Sequence, residues 1–503
     1  MFKLIKSVFK SAKEGIGKDP QIKKVESKYP RFFKWLGNRL DPDYKYGRFL
    51  TIGCIFFALF IFFFLGVIQD IFARDPLALA DQRITNLFVL FRSPNITRVM
   101  LYITYLGKWQ LVVLGAILLS IILFLTGKRK YLYTLAISVA GGSVLTTVLK
   151  NVITRQRPSI ANAVIVENSF SFPSGHTFVV FSFYLLAAFI LWGLIRNRTW
   201  RIILVLSSCV LALLIPLSRI YLGVHWTSDI VGTFSLGLAW LTVFITYLVI
   251  QDHFDKREAK PLVDLKYVKY LSILFLISWL GFSIYYYKAN SYEKVVASKT
   301  VTLATTAIDS AGIPDNIFKN LPRTSEGLTG KVMEPINFVF IGSKENMDTA
   351  FKVAGWVPTD KINISTSWKI GYSTLFDKPY ATAPGTPSFW DSRPNDYSYE
   401  KPTSSVRERE HIHIWVTPYV VNGEPLWLGT AHFDKSVKLT TNFIPTHEID
   451  PLVDNERNLL KQQLLDTGKV TVKEVKIVEP TTGKNLAGSV FYTDGNGYLI
   501  TLK

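Results

Sequence analysis

Seven long apolar runs dominate the first part of this chain. They cover residues 49–72, 109–126, 131–149, 177–195, 202–217, 230–250 and 270–287. Each is close to the roughly 17–25 residues that a helix needs to cross the hydrocarbon core of a bilayer. The shortest run, 202–217, is flanked by Arg201 and Arg219, whose long side chains reach the interface and let it span as well. We therefore predict an all-α polytopic membrane helix bundle of about seven spans.

The residues before the first run are polar and strongly basic. They hold no early apolar stretch and no small-residue cleavage site, so we expect this segment to stay attached rather than to act as a removable signal peptide. Phe32, Phe33 and Trp35 interleave with the basic residues, which favours a segment lying on the membrane surface. We assign residues 1–48 to a basic cytoplasmic tail.

Lysine and arginine set the predicted orientation, because short loops rich in them stay on the cytoplasmic side. They collect in the tail and in the segments 128–130, 196–201 and 251–269, the last with Lys256 and Arg257. Seven spans put all four segments on one side of the bilayer. The non-cytoplasmic side then receives 73–108, 150–176 and 218–229 together.

The formal net charge of +19 belongs to the membrane half. About 33 basic and about 14 acidic residues precede Lys288, whereas about 24 of each follow from there. The excess of basic residues sets the orientation of the chain in the membrane and attracts anionic headgroups. We therefore expect membrane lipids and no nucleic acid as partners. Cys54 and Cys209 both lie within spans, which implies no disulfide and is compatible with a bacterial inner membrane.

Three polar clusters stand at the ends of the apolar runs. The first is Lys150 with Arg157-Pro158, the second is Pro173-Ser174-Gly175-His176, and the third is Ser218-Arg219 with His225 and Asp229. A tetrahedral, multiply charged phosphoryl group needs planar guanidinium forks and short-range donors. We predict a phosphate-binding cradle made of Lys150, Arg157, Ser174, Gly175 and Arg219.

Two histidines supply the chemistry that phosphoester cleavage requires, a nucleophile at phosphorus and an acid for the leaving oxygen. His225 and Asp229 stand four residues apart and share a helix face, so the carboxylate can accept one ring N–H and leave the other nitrogen free. This favours His225 as the nucleophile. His176 follows a glycine that permits close approach of a ligand, which places it to protonate the departing oxygen.

The three clusters, Lys150-x6-Arg157-Pro158, Pro173-Ser174-Gly175-His176 and Ser218-Arg219-x5-His225-x3-Asp229, resemble the signature of the type 2 phosphatidic acid phosphatase superfamily. The resemblance implies that His225 becomes a phosphohistidine, Asp229 orients it and His176 is the general acid, with neither metal nor cofactor. The pocket is also similar to that of vanadate haloperoxidases, but those proteins are soluble. Flanking basic residues and interfacial histidines would explain the residue types without their spacing.

The resemblance implies an integral membrane phosphatase that hydrolyses a lipid phosphate or diphosphate on the non-cytoplasmic face. Undecaprenyl diphosphate ranks first among the expected substrates, followed by phosphatidylglycerol phosphate, phosphatidate and lipid A. A phosphotransferase is an alternative, because a phosphohistidine can pass its phosphoryl group to another lipid as well as to water. A non-catalytic protein that binds or transports a lipid phosphate is another, although a carrier gains nothing from a nucleophile with its own orienting carboxylate.

Between the first two spans, two stretches carry helical apolar spacing. One includes Asp81-Gln82-Arg83, Ile84, Leu87, Phe88 and Phe91, and the other lies around Val99, Leu101 and Ile103. We interpret them as an amphipathic interfacial helix on the headgroups, in preference to a wall of the route by which lipid tails enter.

From about Lys288 the pattern changes to strands, short helices and turns, which predicts an α+β domain. Ile336 to Ile341 is a buried-type strand, Met347, Ala350, Phe351 and Ala354 mark a helix before Gly355, and Asp494 to Gly497 should turn a terminal hairpin. We divide the rest of the chain into a membrane phosphatase domain (49–250), a cytoplasmic loop with the last transmembrane helix (251–287) and an exported soluble domain (288–503). The exported domain should sit above the active site.

His411 and His413 alternate on a strand with Trp415, and His432 and His447-Glu448 follow. A metal site is conceivable there, but we favour a half-buried strand face. The stretches Arg407 to Trp415 and His447 to Arg457 resemble the LssY-type C-terminal domain found fused to such phosphatases, with Glu410 at a position where a histidine would be expected. The partner of this domain is not implied by the resemblance.

Overall fold

The computed structural model describes the chain in several stretches. They are residues 19–41, 43–159, 163–255, 260–297, 305–309, 312–319, 321–376, 378, 380, 382–401, 408–439, 445–485 and 488–503. The first 18 residues of the basic tail, Lys256, Arg257 and Arg407 lie outside this description.

In the N-terminal half of the described chain, the regular secondary structure consists of helices joined by loops. In chain order its helices are α1 Pro20–Lys28, α2 Pro30–Leu40, α3 Arg48–Ala73, α4 Pro76–Leu90, α5 Pro94–Leu106, α6 Trp109–Leu125, α7 Arg129–Ile153, α8 Gly175–Leu194, α9 Arg198–Tyr221, α10 Thr227–Phe254, α11 Leu265–Ala289 and α12 Tyr292–Ala297. In α2 the side chains of Phe32 and Trp35 are exposed.

Local sequence explains where several of these helices begin. Proline occupies a first-turn position in α2, α4 and α5, where its missing N–H costs nothing. Ser93, Ser174 and Asn197 cap α5, α8 and α9 by accepting a hydrogen bond from a backbone N–H three residues on. The cap at Ser174 matters for function, because it fixes the turn that carries His176.

The helices confirm a polytopic bundle. Within the described residues, six helices are long and apolar enough to cross a membrane, or up to seven if α5 and α6 count as one span. The run predicted at 202–217 belongs to α9, which with 24 residues is long enough to span. The run predicted at 109–126 is helix α6, and its 17 residues form a full span only together with α5.

The second stretch of the predicted interfacial helix, α5, packs into the bundle instead of lying on the headgroups. Leu101, Tyr105 and Leu106 are buried there. The axis bends by 49° between α5 and α6, at Gly107. A Cβ at Gly107 would lie 2.9 Å from Cδ2 of His176, so only glycine allows this close approach.

The first stretch, α4, also departs from the predicted arrangement. Its buried side chains are mostly polar, with Asp81, Arg83, Thr85 and Asn86 enclosed by protein. A helix resting on headgroups would expose such groups to water. The polar face of α4 instead packs against both halves of the chain.

The C-terminal half is a strand-rich α+β unit, as the sequence predicts. Its elements are β1 Thr306–Ala307, α13 Asp315–Phe318, β2 Thr324–Glu326, β3 Val332–Pro335, β4 Phe338–Ile341, α14 Lys344–Val353, β5 Val357–Pro358, α15 Ile364–Phe376, β6 Phe389–Trp390, β7 Arg393–Pro394, β8 Tyr397–Lys401, β9 Arg409–Val421, β10 Glu424–Leu439, β11 Pro445–Ile449, α16 Val453–Asp466, β12 Val470–Lys476, β13 Thr481–Lys484, β14 Val490–Thr493 and β15 Asn496–Leu502.

The main sheet has the strand order β12-β15-β4-β10-β9-β8-β5, with β1 paired to β9 and β11 paired to β10. Helices α14 and α16 cover one face of this sheet, where Phe351 and Leu460 pack on Phe338 and Ile412. The other face buries Val339 and Trp415. A smaller sheet of order β3-β2-β6-β7 supplies Trp390 to that second core.

Two of the three local predictions for this half are confirmed. Strand β4 is buried throughout, and α14 carries Met347, Ala350 and Phe351 inward and ends before Gly355, whose φ is +83°. The predicted terminal hairpin is wrong. The turn after Thr493 joins β14 to β15, but β14 pairs with β13 while β15 pairs with β12 and β4.

Helix α4 joins the two halves of the structure. Arg83 forms a salt bridge with Glu326 at the end of β2, and Asn86 donates a hydrogen bond of 2.8 Å to the carbonyl of Ser392. Arg83 also approaches Gly330, whose φ of +78° suits glycine. The C-terminal unit therefore contacts the helix that, through Asp81, reaches the polar clusters of the bundle.

Candidate active site

The three polar clusters predicted from the sequence meet at one end of the helices. Lys150 lies in the last turn of α7, Ser174 and His176 begin α8, and Arg219 lies in the last turn of α9. His225 and Asp229 stand at the start of α10. Four helix ends therefore bring the eight predicted site residues into one region.

His225 is held by the carboxyl group four residues later. Its Nδ1 lies 3.2 Å from Oδ2 of Asp229 and 3.4 Å from Oγ of Ser171. The same Oδ2 accepts a hydrogen bond of 2.9 Å from the backbone N–H of Trp226. Asp229 thus fixes the ring through Nδ1, and Nε2 points away from it, 3.2 Å from a guanidinium nitrogen of Arg157.

Polar residues that the sequence analysis did not predict hold Asp229 in place. Arg155 donates to Oδ1 of Asp229 at 2.6 Å through Nη1 and to Asp81 of α4 at 2.7 Å through Nη2. Asp81 also accepts hydrogen bonds from the backbone and side chain of Ser228. Asp81 and Asp229 are both almost fully buried, so the guanidinium between them balances two carboxyl groups in the interior.

His176 lies on the other side of the site with one ring nitrogen available. Among the described residues its buried Nε2 has no hydrogen-bond partner. Ser174 beside it is fully buried, with its amide donating to Thr233 at 2.8 Å. Gly175 faces open space, so its amide can approach a ligand at the first turn of α8.

The three predicted cations are present, each held by protein oxygens. Lys150 donates to the carbonyl of Phe170. Arg157 donates to the carbonyls of Ser169 at 2.6 Å and Val224 at 2.5 Å. Arg219 donates to Thr104 at 2.8 Å. Backbone carbonyls hold the first two cations in place without neutralising their charge.

Glu167 is the acidic group that pairs with one of these cations, Arg219. Its Oε1 lies 2.8 Å from Nη2 of Arg219 and 3.1 Å from Nζ of Lys108, at the bend between α5 and α6. A carboxylate that bridges an arginine and a lysine makes the contacts that a phosphoryl oxygen would make. In this arrangement Glu167 occupies one of the guanidinium nitrogens of Arg219.

A cavity of about 830 Å³ opens onto this region. Lys150, Arg157, Glu167 and Gly175 line it. Arg219 and His225 lie behind this lining and are almost fully buried, covered by the Glu167 and Arg157 side chains that contact them. The side chains of Glu167 and Arg157 therefore lie between the cavity and the buried groups of Arg219 and His225.

The charges around the site shift the pKa of its loop residues. Burial, and then the positive charges of Arg157, Arg219 and Lys150, hold the pKa of His225 well below its ordinary value. Burial alone would raise the pKa of Glu167, but Arg219 and Lys108 outweigh it and hold this pKa below its ordinary value. At neutral pH His225 is unprotonated, as a nucleophile must be, and Glu167 is ionised.

The sequence analysis did not predict Glu167, Asp81 and Arg155 as site residues, although the sequence carries a signal for the first two. Glu167 is the sole acidic residue between Gln82 and Ser228, in a stretch that is otherwise basic or apolar. Asp81 interrupts the apolar pattern of α4. Arg155 gives no spacing signal of its own, because it stands only two residues before Arg157.

Comparison with known proteins identifies both halves. Residues 127–255 match the PAP2 superfamily and residues 318–496 match LssY C-terminus. Phosphatidylglycerophosphatase B of Bacillus subtilis is 32% identical over 182 residues, which are 36% of this chain and 88% of that protein. An undecaprenyl-diphosphatase of Sulfolobus acidocaldarius is 29% identical over 162 residues, 31% of this chain and 74% of that protein.

Among solved structures, the chain is similar to a transmembrane PAP2 type phosphatidylglycerolphosphate phosphatase from Bacillus subtilis. The sequences are 28% identical, the alignment covers 41% of this chain and 98% of that one, and the TM-score is 0.33.

The helix bundle, the phosphate-binding residue types and these relatives define an integral membrane phosphatase that acts on lipid substrates. The chain belongs to the PAP2 superfamily, and it carries an LssY C-terminus after the PAP2 region.

Proposed function

We propose that this protein hydrolyses the phosphate or diphosphate ester of a membrane lipid through a phosphohistidine on His225. The observation that supports this most directly is the pairing of Nδ1 of His225 with Asp229, which leaves Nε2 directed toward Arg157. A phosphoryl group bound by Arg157 and Arg219 would present its phosphorus to that nitrogen. Lys150, Ser174 and the amide of Gly175 would complete the cradle.

In the first step Nε2 of His225 attacks phosphorus, and the bond from phosphorus to the lipid oxygen breaks. His176 gives its Nε2 proton to that departing oxygen, which leaves as an alcohol or as a lipid monophosphate. Asp229 stabilises the positive charge that develops on the ring of His225. The cations of the cradle stabilise the negative charge spread over the equatorial oxygens.

In the second step water attacks the phosphohistidine. His176, now unprotonated, takes a proton from the water, and the bond from phosphorus to Nε2 breaks. Inorganic phosphate leaves and His225 returns to its neutral form. No step in this sequence draws on a metal ion.

Two lipids are the leading substrates. Phosphatidylglycerol phosphate is favoured by the relative named phosphatidylglycerophosphatase B, 88% of which aligns with this chain. Undecaprenyl diphosphate, which the family resemblance ranks first, is favoured by the relative named undecaprenyl-diphosphatase. We place the site and the C-terminal unit on the non-cytoplasmic face of a bacterial inner membrane, because four basic segments fall on the opposite side.

The test is phosphate release by the detergent-purified full chain from a panel of lipids in EDTA. The panel contains phosphatidylglycerol phosphate, undecaprenyl diphosphate, phosphatidate and lipid A. We expect release from at least one lipid, unchanged turnover when EDTA is present, and inhibition by vanadate, which mimics five-coordinate phosphorus. Release that stops in EDTA and returns with a divalent ion would contradict the proposed mechanism.

The same assay separates two alternatives. A phosphotransferase would consume the lipid while passing its phosphate to a second lipid, so the products need to be separated as well as the free phosphate measured. A carrier would bind the lipids without consuming them.

Glu167→Gln tests whether this carboxylate competes with the substrate. A charge-assisted hydrogen bond contributes about 1.5–3 kcal/mol, so freeing Arg219 should lower the Ki of inorganic phosphate by about tenfold. Glu293→Gln, which alters an exposed partner of Arg98, is the matched control and should leave the Ki unchanged. A higher Ki for Glu167→Gln would mean that the carboxylate positions Arg219 for the substrate.

A further inference from the structure

The C-terminal half contains a cluster of three buried imidazoles. His411 and His413 lie two residues apart on β9 and point to the same face of the sheet, and His432 is paired with His411 on the neighbouring strand β10. All three have exposed fractions of 7% or less, so the half-buried strand face that we favoured from the sequence does not describe them. The cluster lies on the face of the main sheet that the smaller sheet covers.

The ring nitrogens of this cluster converge. One nitrogen from each of the three rings lies within 4.8 Å of the other two, and Nε2 of His411 is 3.0 Å from Nε2 of His413. Nitrogen ligands on a tetrahedral zinc ion, at about 2.0–2.1 Å from the metal, lie about 3.3 Å from each other. Small adjustments of the rings would therefore suffice to bind one ion.

The far nitrogens of two rings are held by neighbouring polar groups. Nδ1 of His411 is 2.9 Å from Oδ2 of Asp434, and Nδ1 of His413 is 3.1 Å from Oγ of Ser398. Metal-bound histidines nearly always engage their second nitrogen in this way, which fixes the tautomer and the direction of the ring. Both Nε2 atoms are thereby turned toward the centre of the cluster.

A small cavity lies at the cluster. It has a volume of about 120 Å³ and is lined by all three histidines and by Glu334 of β3. Oε1 of Glu334 is buried and has no hydrogen-bond partner among the described residues. The cavity is large enough for an ion with a bound water, and Glu334 contributes a buried carboxyl group to its lining.

We propose that His411, His413 and His432 bind a divalent transition metal ion of the zinc type, with a water in the cavity as the fourth ligand and Asp434 orienting His411. Three imidazoles with a water suit zinc and other first-row ions, whereas magnesium and calcium prefer oxygen ligands. The site lies in the LssY region, apart from the phosphoryl site. It leaves the phosphatase mechanism free of metal.

The competing explanation is a polar core in which the imidazoles bond only to one another and to nearby side chains. Metal content distinguishes the two. The full chain is purified in detergent without a polyhistidine tag, and its metals are measured by mass spectrometry. We expect about one ion per chain, and after the ion is removed and replaced by Co²⁺ we expect the visible absorption of nitrogen- and oxygen-coordinated cobalt.

The double variant His411→Ala/His413→Ala should lose the ion. His253→Ala, which removes an exposed histidine at the end of α10, is the matched control and should retain it. If the double variant does not fold, His413→Gln and a titration of the metal-free wild type with Zn²⁺, read as a rise in Tm, decide the question.

Three results would overturn the proposal. One is a wild type that contains no metal and shows neither cobalt absorption nor a shift in Tm on titration. Another is a folded double variant with the same metal content as the wild type. The third is loss of the ion in His253→Ala to the same extent. Phosphate release is measured in parallel, so failure of the metal site is distinguishable from failure of the phosphatase.

Discussion

His225→Asn should reduce phosphate release by at least about ten-thousandfold. The substitution removes the nitrogen that attacks phosphorus, and among the described residues His225 is the histidine whose ring contacts Asp229. Asparagine is close to histidine in size and stays polar, so the buried pocket should remain filled. The measurement is release of phosphate from the best lipid of the panel, together with binding of inorganic phosphate, which should persist.

The matched control is His253→Asn, which should keep wild-type turnover. A second readout tests the intermediate itself. The wild type is given a lipid labelled in its terminal phosphoryl group, and the reaction is quenched during turnover. The protein should then carry label that is stable to alkali and lost in acid, as expected for a phosphorus–nitrogen bond. Turnover by His225→Asn within about tenfold of the wild type would eliminate His225 as the nucleophile.

The residues of the candidate phosphoryl site could be picked out from the sequence because they form short, ordered spacings. His225 and Asp229 share a helix face at four residues, and Ser174 to His176 are consecutive, so local geometry alone brings them together. The membrane spans were predictable for a similar reason, since length and hydropathy are local properties. The joining of α5 and α6 was not, because a bend at Gly107 depends on the imidazole that packs against it.

What the sequence did not reveal are contacts between distant segments. Arg155 binds Asp81, which is 74 residues away, and Arg83 binds Glu326, which is 243 residues away. The polar residues of α4 suggested a face exposed to water, whereas the bundle encloses Asp81 and the C-terminal half covers Arg83 and Asn86. The histidines of β9 and β10 likewise converge only once the strand register pairs His411 with His432.

Helix α4 therefore links the LssY region to the phosphoryl site. Arg83 and Asn86 contact the C-terminal unit, and Asp81, on the same helix, binds Arg155, which binds Asp229. These contacts form one continuous path from the C-terminal unit to the carboxyl group that contacts His225. Arg155 is the connecting residue of this chain of contacts, and its substitution has the second-largest effect that we expect.

Arg155→Met should lower kcat by about a hundredfold or more and change KM little. Without Arg155 the carboxyl group of Asp229 loses the partner that positions it, and a misplacement of about 1 Å in a catalytic site costs about a hundredfold in rate. The loss should fall on kcat because Arg155 contacts Asp229 and Asp81, while the predicted phosphate ligands are Arg157, Arg219 and Lys150. Arg155→Lys should restore part of the rate, since one ammonium can contact only one of the two carboxyl groups well.

A purely structural role for Arg155 would also reduce activity. The test therefore needs a measurement whose result differs between a structural role and a role through Asp229. If Arg155 acts through Asp229, the double variant Arg155→Met/Asp229→Asn should be little worse than Asp229→Asn alone, because residues that act as a unit are not additive. Arg98→Met, which breaks an exposed ion pair with Glu293, serves as the control and should keep the wild-type kcat. Fully multiplicative losses in the double variant would show that Arg155 supports the fold or the substrate independently of Asp229.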